Sequence, residues 1–158
     1  MNDRAFQDLM KGHHCFGCGT LNQQGLRIKS YWSGEGSICT WLPANHHMAG
    51  PKQVLNGGII ATIIDCHCVC TAIAAAYQAE GREIGSEPTL LYVTGALNVK
   101  YLQPTSIKEE VFLRAQVQAV QEKSATLTCS LLSNQKESVR TEVVAVKVPA
   151  TWSFQIEF

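Results

Sequence analysis

The segment from Gly57 to about Ala79 constrains the fold more than any other part of the chain. Ile59, Ile60, Ala61, Ile63, Ile64, Val69, Ala72, Ile73, Ala74, Ala75 and Ala76 place apolar groups on nearly every side of one helix. A helix that is apolar all round is buried on most of its faces. At 1.5 Å per residue it would run roughly 33 Å. Gly81, in Glu80-Gly81-Arg82, is suited to cap its C-terminus.

The remainder reads mostly as strands. A short helix is expected over 3–10 and an ordered loop over His13 to Gly25, which is rich in Gly, Cys and polar residues. Leu26 to Ser33 and Ser37 to Leu42 read as two strands around the turn at 33–37. Four further runs follow the helix: Leu90 to Leu102, Val111 to Val120, Ala125 to Leu132 and Val139 to Val148. Apolar and polar residues alternate along Ala125, Leu127, Cys129 and Leu131. A last short strand is expected over Trp152 to Phe158, beyond Pro149. The short connections favour antiparallel neighbours. The order predicts a single α+β domain over 1–158, with an antiparallel sheet of about six strands curled around one long central helix. Such a sheet covers the helix with one face, so its other face is solvated or pairs with a second subunit.

Composition narrows the function classes. Lys plus Arg and Asp plus Glu number 13 each, a balance that argues against a nucleic-acid binder. Charged residues make up only 16% of the chain, against roughly 25% in ordinary soluble domains, so surface hidden in an oligomer is expected. The start, Met1 to Asp8, is polar and lacks the apolar core of a signal peptide. Asp65 and His67 interrupt the one long apolar segment, so no membrane span is expected. Seven cysteines, an odd number, then suggest reduced thiols and a cytoplasmic protein.

The helix also holds the residues best suited to chemistry. Gly57 and Gly58 open it, so its first N–H groups lack the screening of side chains, and the N-terminal end carries partial positive charge. That end suits an oxyanion or a polarised carbonyl, although two glycines alone favour close packing of helix against strand. Asp65 lies mid-helix among apolar residues. A buried carboxylate needs a partner or takes a shifted pKa, and it can serve as a base or nucleophile. Gly58 and Asp65 are seven residues apart, roughly 10 Å along the axis. One helix does not easily bring both to the same carbonyl, whereas two helices from two subunits do.

Asn56-Gly57-Gly58 and Asp65, with the six residues between, resemble the His-Gly-Gly-(x6)-Asp helix of hot-dog-fold acyl-CoA thioesterases, in their PaaI-like branch. Cys15-Phe16-Gly17-Cys18-Gly19, with Asn22 and Gly25-Leu26, is similar to the segment before their first strand. Thr94 to Pro104 resembles their substrate-side strand, which ends Tyr-x-x-Pro. The likeness covers about residues 15–148. It implies a hot-dog fold, a homodimer or a dimer of dimers, hydrolysis of an acyl-thioester such as acyl-CoA, and no metal or organic cofactor. By carry-over, the Gly57 and Gly58 amides polarise the thioester carbonyl. Asp65 of the other subunit activates water or attacks directly. Thr94, Gly95, Ala96, Leu97, Asn98 and Val99 line the pantetheine path. This sequence departs from the family pattern in having Asn56 where a His is usual. Asn can position a carbonyl but cannot exchange a proton near neutral pH. A protein that binds an acyl-CoA or another apolar ligand without turnover is the alternative.

The cysteines invite a metal reading that their spacing does not favour. Cys15-x-x-Cys18 has no second pair at zinc-site spacing downstream, so an ordered turn with half-buried thiols is expected rather than a zinc or redox module. In Cys66-His67-Cys68-Val69-Cys70 only Cys66 and Cys70 share a helix face. Small core residues and a satisfied core histidine are expected there.

Overall fold

The computed structural model describes residues 3–153. Its elements are α1 (Phe6–Leu9), β1 (Tyr31–Ser33), β2 (Gly36–Trp41), α2 (Gly57–Ala79), β3 (Tyr92–Tyr101), β4 (Val111–Val120), β5 (Ser124–Ser133), β6 (Lys136–Lys147) and α3 (Ala150–Ser153). The six strands form one antiparallel sheet in the order β1-β2-β4-β5-β6-β3. The expected α+β hot-dog architecture is therefore present, with α2 as the central helix.

Periodicity explains how sheet and helix meet. On β5 the residues Ala125, Leu127, Cys129, Leu131 and Ser133 are buried and their neighbours are half-buried. Leu113 on β4 and Val139, Val143 and Ala145 on β6 add to the same face. They join Ile60, Ile63, Ile64, Cys68, Ala72 and Ile73 of α2 in one core. By length and composition α2 could cross a bilayer despite Asp65 and His67, but most of it is buried against the protein itself. It ends as expected. Gly81 takes a positive φ of 65°, its N–H donates to Gln78 O, and Arg82 N donates to Tyr77 O, which satisfies two of the last carbonyls.

Several boundaries differ from the sequence reading; β6, for example, begins at Lys136 and not at Val139. The short helix over 3–10 is reduced to 6–9. The first strand is only 31–33, because Arg27 adopts a positive φ of 53° and breaks the extended run. Leu26 N and Ile28 N donate instead to Phe16 O and Gly17 O, so 26–28 pair with the N-terminal loop and not with the sheet. The expected strand over 152–158 falls partly on α3, where Trp152 and Ser153 are helical, while 154–158 lie outside the described residues.

The core histidine is satisfied, as expected. His67 is fully buried, with Nδ1 2.8 Å from Ser30 Oγ and Nε2 3.3 Å from Ser37 Oγ. Ser37 Oγ lies 2.6 Å from Thr71 Oγ1, which donates to His67 O. Gln7 Nε2 donates to Ser30 Oγ, and Gln7 Oε1 accepts from Ser30 N, tying the N-terminal segment to α2. Burial pushes the His67 pKa down to about 4. Protons therefore favour the unfolded chain below the ordinary imidazole value near 6.5, and stability falls as pH drops from there through about 4. Between pH 7 and pH 5 this residue should cost about 2 kcal/mol. Urea melts of wild type and His67→Gln at both pH values test it. Equal acid sensitivity in the two proteins would contradict it.

Candidate active site

Asp65 sits two turns into α2 with its side chain at a cavity of about 600 Å³. Val69, Ile73, Tyr77 and Leu90 give the cavity apolar walls, and Cys18 and Cys66 line it next to the carboxylate. Asp65 Oδ1 accepts a 2.6 Å hydrogen bond from Thr94 Oγ1, which also borders the cavity. Burial raises the Asp65 pKa above the usual carboxylate range, the Thr94 hydroxyl partly opposes the shift, and Cys18 adds to it. A carboxylate held this way keeps proton affinity that an exposed one lacks.

A bulge in β3 aims the threonine. Thr94 pairs with Ala145 and Ala96 with Val144, leaving Gly95 as the extra residue. A Cβ at Gly95 would stand 2.5 Å from Val146 Cγ2 and 3.3 Å from Val144 O, so a side chain there would have to displace the Val146 methyl and crowd the β6 carbonyl. The bulge also changes which residues face the helix. Tyr92 is buried and Thr94 reaches Asp65 before it, whereas Leu97 and Val99 pack on the core after it. Of the six residues expected on the substrate strand, only Thr94 borders the cavity within one chain. Gly95, Ala96 and Asn98 are exposed along the sheet edge, and Leu97 and Val99 are half-buried.

The other half of the expected site lies at the start of α2. Asn56 is the N-cap, and its Oδ1 accepts from Gly58 N at 2.8 Å and Ile59 N at 3.2 Å. The side chain that replaces the family histidine therefore satisfies helix amides. The Gly58 amide is engaged within the chain. The Gly57 amide has no acceptor among the described residues, and it is the donor left at this end. Tyr101 OH donates to Gly57 O at 2.7 Å and braces the first turn from β3, a contact that the Tyr-x-x-Pro pattern alone did not reveal. The turn at 45–47 lies alongside, where Asn56 N donates to His47 O and Ala44 N donates to His47 Nδ1. Gly57, Gly58 and Asn56 do not border the cavity that holds Asp65. One chain thus holds the carboxylate and the amide end apart, as the helix rise requires.

Sequence spacing missed one grouping. The loop at 15–18 folds onto α2 and brings Cys15, Cys18 and Cys66 together, with all three sulfurs within 4.8 Å of one another. All seven cysteines are free thiols.

Residues 52–139 match the model of the family described as Thioesterase superfamily. A thioesterase superfamily protein from Shewanella loihica PV-4 has a similar structure, with TM-score 0.66 and 33% identity over 87% of this chain and 96% of that one. The PaaI protein from the phenylacetic acid degradation operon of E. coli shares the fold, with TM-score 0.63 and 14% identity over 78% of this chain and 81% of that one. Acyl-coenzyme A thioesterase THEM4 of Rattus norvegicus is 26% identical over 116 residues, which span 73% of this chain but only 44% of that protein.

Proposed function

This chain belongs to the thioesterase superfamily, and we propose from that premise that it hydrolyses an acyl-thioester of coenzyme A at a site shared between two subunits. The observation that carries the reading is Asp65, a half-buried carboxylate with a raised pKa and one hydroxyl donor at the wall of an apolar cavity. Thioester hydrolysis needs such a group. Either Asp65 takes a proton from water as it adds to the carbonyl carbon and the thiolate then leaves with that proton, or the carboxylate itself adds, expels the thiolate and leaves a mixed anhydride that water hydrolyses; on both routes negative charge builds on the carbonyl oxygen. The developing oxyanion is met by the Gly57 amide at the positive end of α2. The apolar cavity takes the acyl group, and the thiol arm runs along β3 from Thr94 towards Val99.

A second copy completes this site. β3 is an edge strand of the sheet, and an edge offers unpaired backbone groups to another strand. Val93, Tyr101 and Leu102 are 39%, 51% and 52% exposed on or beside it, an apolar margin suited to burial in a homodimer. In that dimer the Asp65 of one subunit serves the helix N-terminus of the other.

The test is release of free coenzyme A from short, medium, long and aromatic acyl-CoAs, read by chromatography because the protein carries its own thiols. Release from one acyl class is the expected result. If none is released while acyl-CoA raises the melting temperature, the protein binds thioesters without turning them over. Single-turnover hydrolysis in ¹⁸O water separates the two roles of Asp65, since label in its carboxylate marks direct attack.

A further inference from the structure

The three cysteines beside the cavity form a group that thioester hydrolysis does not use. Cys15 and Cys66 have their sulfurs 3.6 Å apart, and Cys18 completes a triangle in which every pair lies within 4.8 Å. Three thiolates on a tetrahedral zinc ion, each about 2.3 Å from the metal, stand about 3.8 Å from one another. An ion could enter this triangle by side-chain rotation, with no movement of the main chain.

The surrounding structure holds the triangle in shape. Gly19 N donates to Cys15 O, Leu21 N to His13 O and Ile28 N to Gly17 O, so the loop is fixed by its own backbone. Gly17 lies flat on α2, where a Cβ would stand 2.2 Å from Cys66 Sγ. Two ligands thus come from a rigid turn and one from the middle of the central helix. Cys70, one helical turn beyond Cys66, borders the same cavity.

We propose that Cys15, Cys18 and Cys66 ligate a zinc ion that clamps the 13–19 loop onto α2, one residue from Asp65. Zinc enters as the thiol protons leave to buffer, with no change of oxidation state. The clamp would fix the wall of the cavity on the side of the carboxylate. Metal uptake and its effect on stability can be read whether or not the protein hydrolyses a thioester.

The experiment uses the full chain, fully reduced and stripped with a chelator under anaerobic conditions. Co²⁺ is the probe, since thiolate ligation gives a sulfur-to-cobalt charge-transfer band, and Zn²⁺ should then displace it. One ion per chain is expected, together with a higher melting temperature when Zn²⁺ is bound. Cys15 is the exposed member, so Cys15→Ala leaves the core intact. It should weaken Zn²⁺ at least about 10²-fold in competition with a chromophoric chelator, because even outer-shell losses cost 10–100-fold. Cys39→Ala, in the core of β2, should bind as wild type does. Absence of the cobalt band in wild type overturns the proposal, as does a band that Cys15→Ala leaves unchanged. A Cys15–Cys66 disulfide found by mass spectrometry in air-exposed protein, with no metal uptake when reduced, also overturns it and makes the cluster a redox pair.

Discussion

Asp65→Asn should lower turnover of the preferred acyl-CoA by at least about 10²-fold while leaving the fold intact. The substitution keeps the shape and removes the proton affinity. Asparagine can still accept from Thr94 Oγ1, which now lies 2.6 Å from Asp65 Oδ1, so the link between α2 and β3 survives. Burial already penalises the charged carboxylate, so the neutral amide should be no less stable and the melting temperature should hold or rise. Loss of rate with unchanged or greater stability is the signature of a group kept for chemistry. Thr94→Val makes the complementary case. It removes the Thr94 hydrogen bond to the carboxylate and should lower kcat about tenfold with little change in KM, as expected of a positioning residue. If coenzyme A release by Asp65→Asn stays within a few-fold of wild type, the carboxylate is not the base, and another group must activate the nucleophile.

The contrast between what the sequence predicted well and what it did not has a physical cause. The central helix, the alternating strand β5 and the Gly81 cap depend on local periodicity and backbone preference, and these are written in adjacent residues. Asp65 was conspicuous because a carboxylate among isoleucines and alanines breaks the pattern that surrounds it. Three features depended on the fold. Arg27 adopts a left-handed backbone without being Gly or Asn, so nothing local marked the break in the first strand. Gly95 reads as one residue of a strand, and its role in aiming Thr94 emerges only from the register against β6. The thiol triangle joins residues 51 positions apart in sequence, Cys15 and Cys66, and zinc-site spacing searches for a second pair and not for one helical sulfur. Asn56 is a mixed case. Its place before Gly57 was visible, but not that its side chain occupies the Gly58 amide and leaves the Gly57 amide as the donor for the proposed carbonyl contact.

That amide can be removed while the helix start keeps its other hydrogen bonds. Gly57 is the first residue of α2, the position where proline is best tolerated, because its missing N–H has no helical partner in any case. Asn56 before it has φ −60° and ψ 131°, the extended backbone that a following proline requires. A Cβ at position 57 would meet the Tyr101 ring at 3.5 Å, an ordinary contact. Gly57→Pro should therefore fold and melt no lower than wild type, since proline also restricts the unfolded chain. It should lose about 10²–10³-fold in kcat, the usual cost of deleting one oxyanion donor. Mixing then tests whether the site is shared. Gly57→Pro and Asp65→Asn are each inactive in this reading, but a heterodimer of the two has one composite site with both groups intact and one with neither. Half the dimers in an equilibrated equal mixture are heterodimers, so about a quarter of wild-type activity should return. If both groups of a site came from the same chain, every site in the mixture would carry a lesion and no activity would return. Full activity in Gly57→Pro alone would instead remove the start of α2 from the reaction.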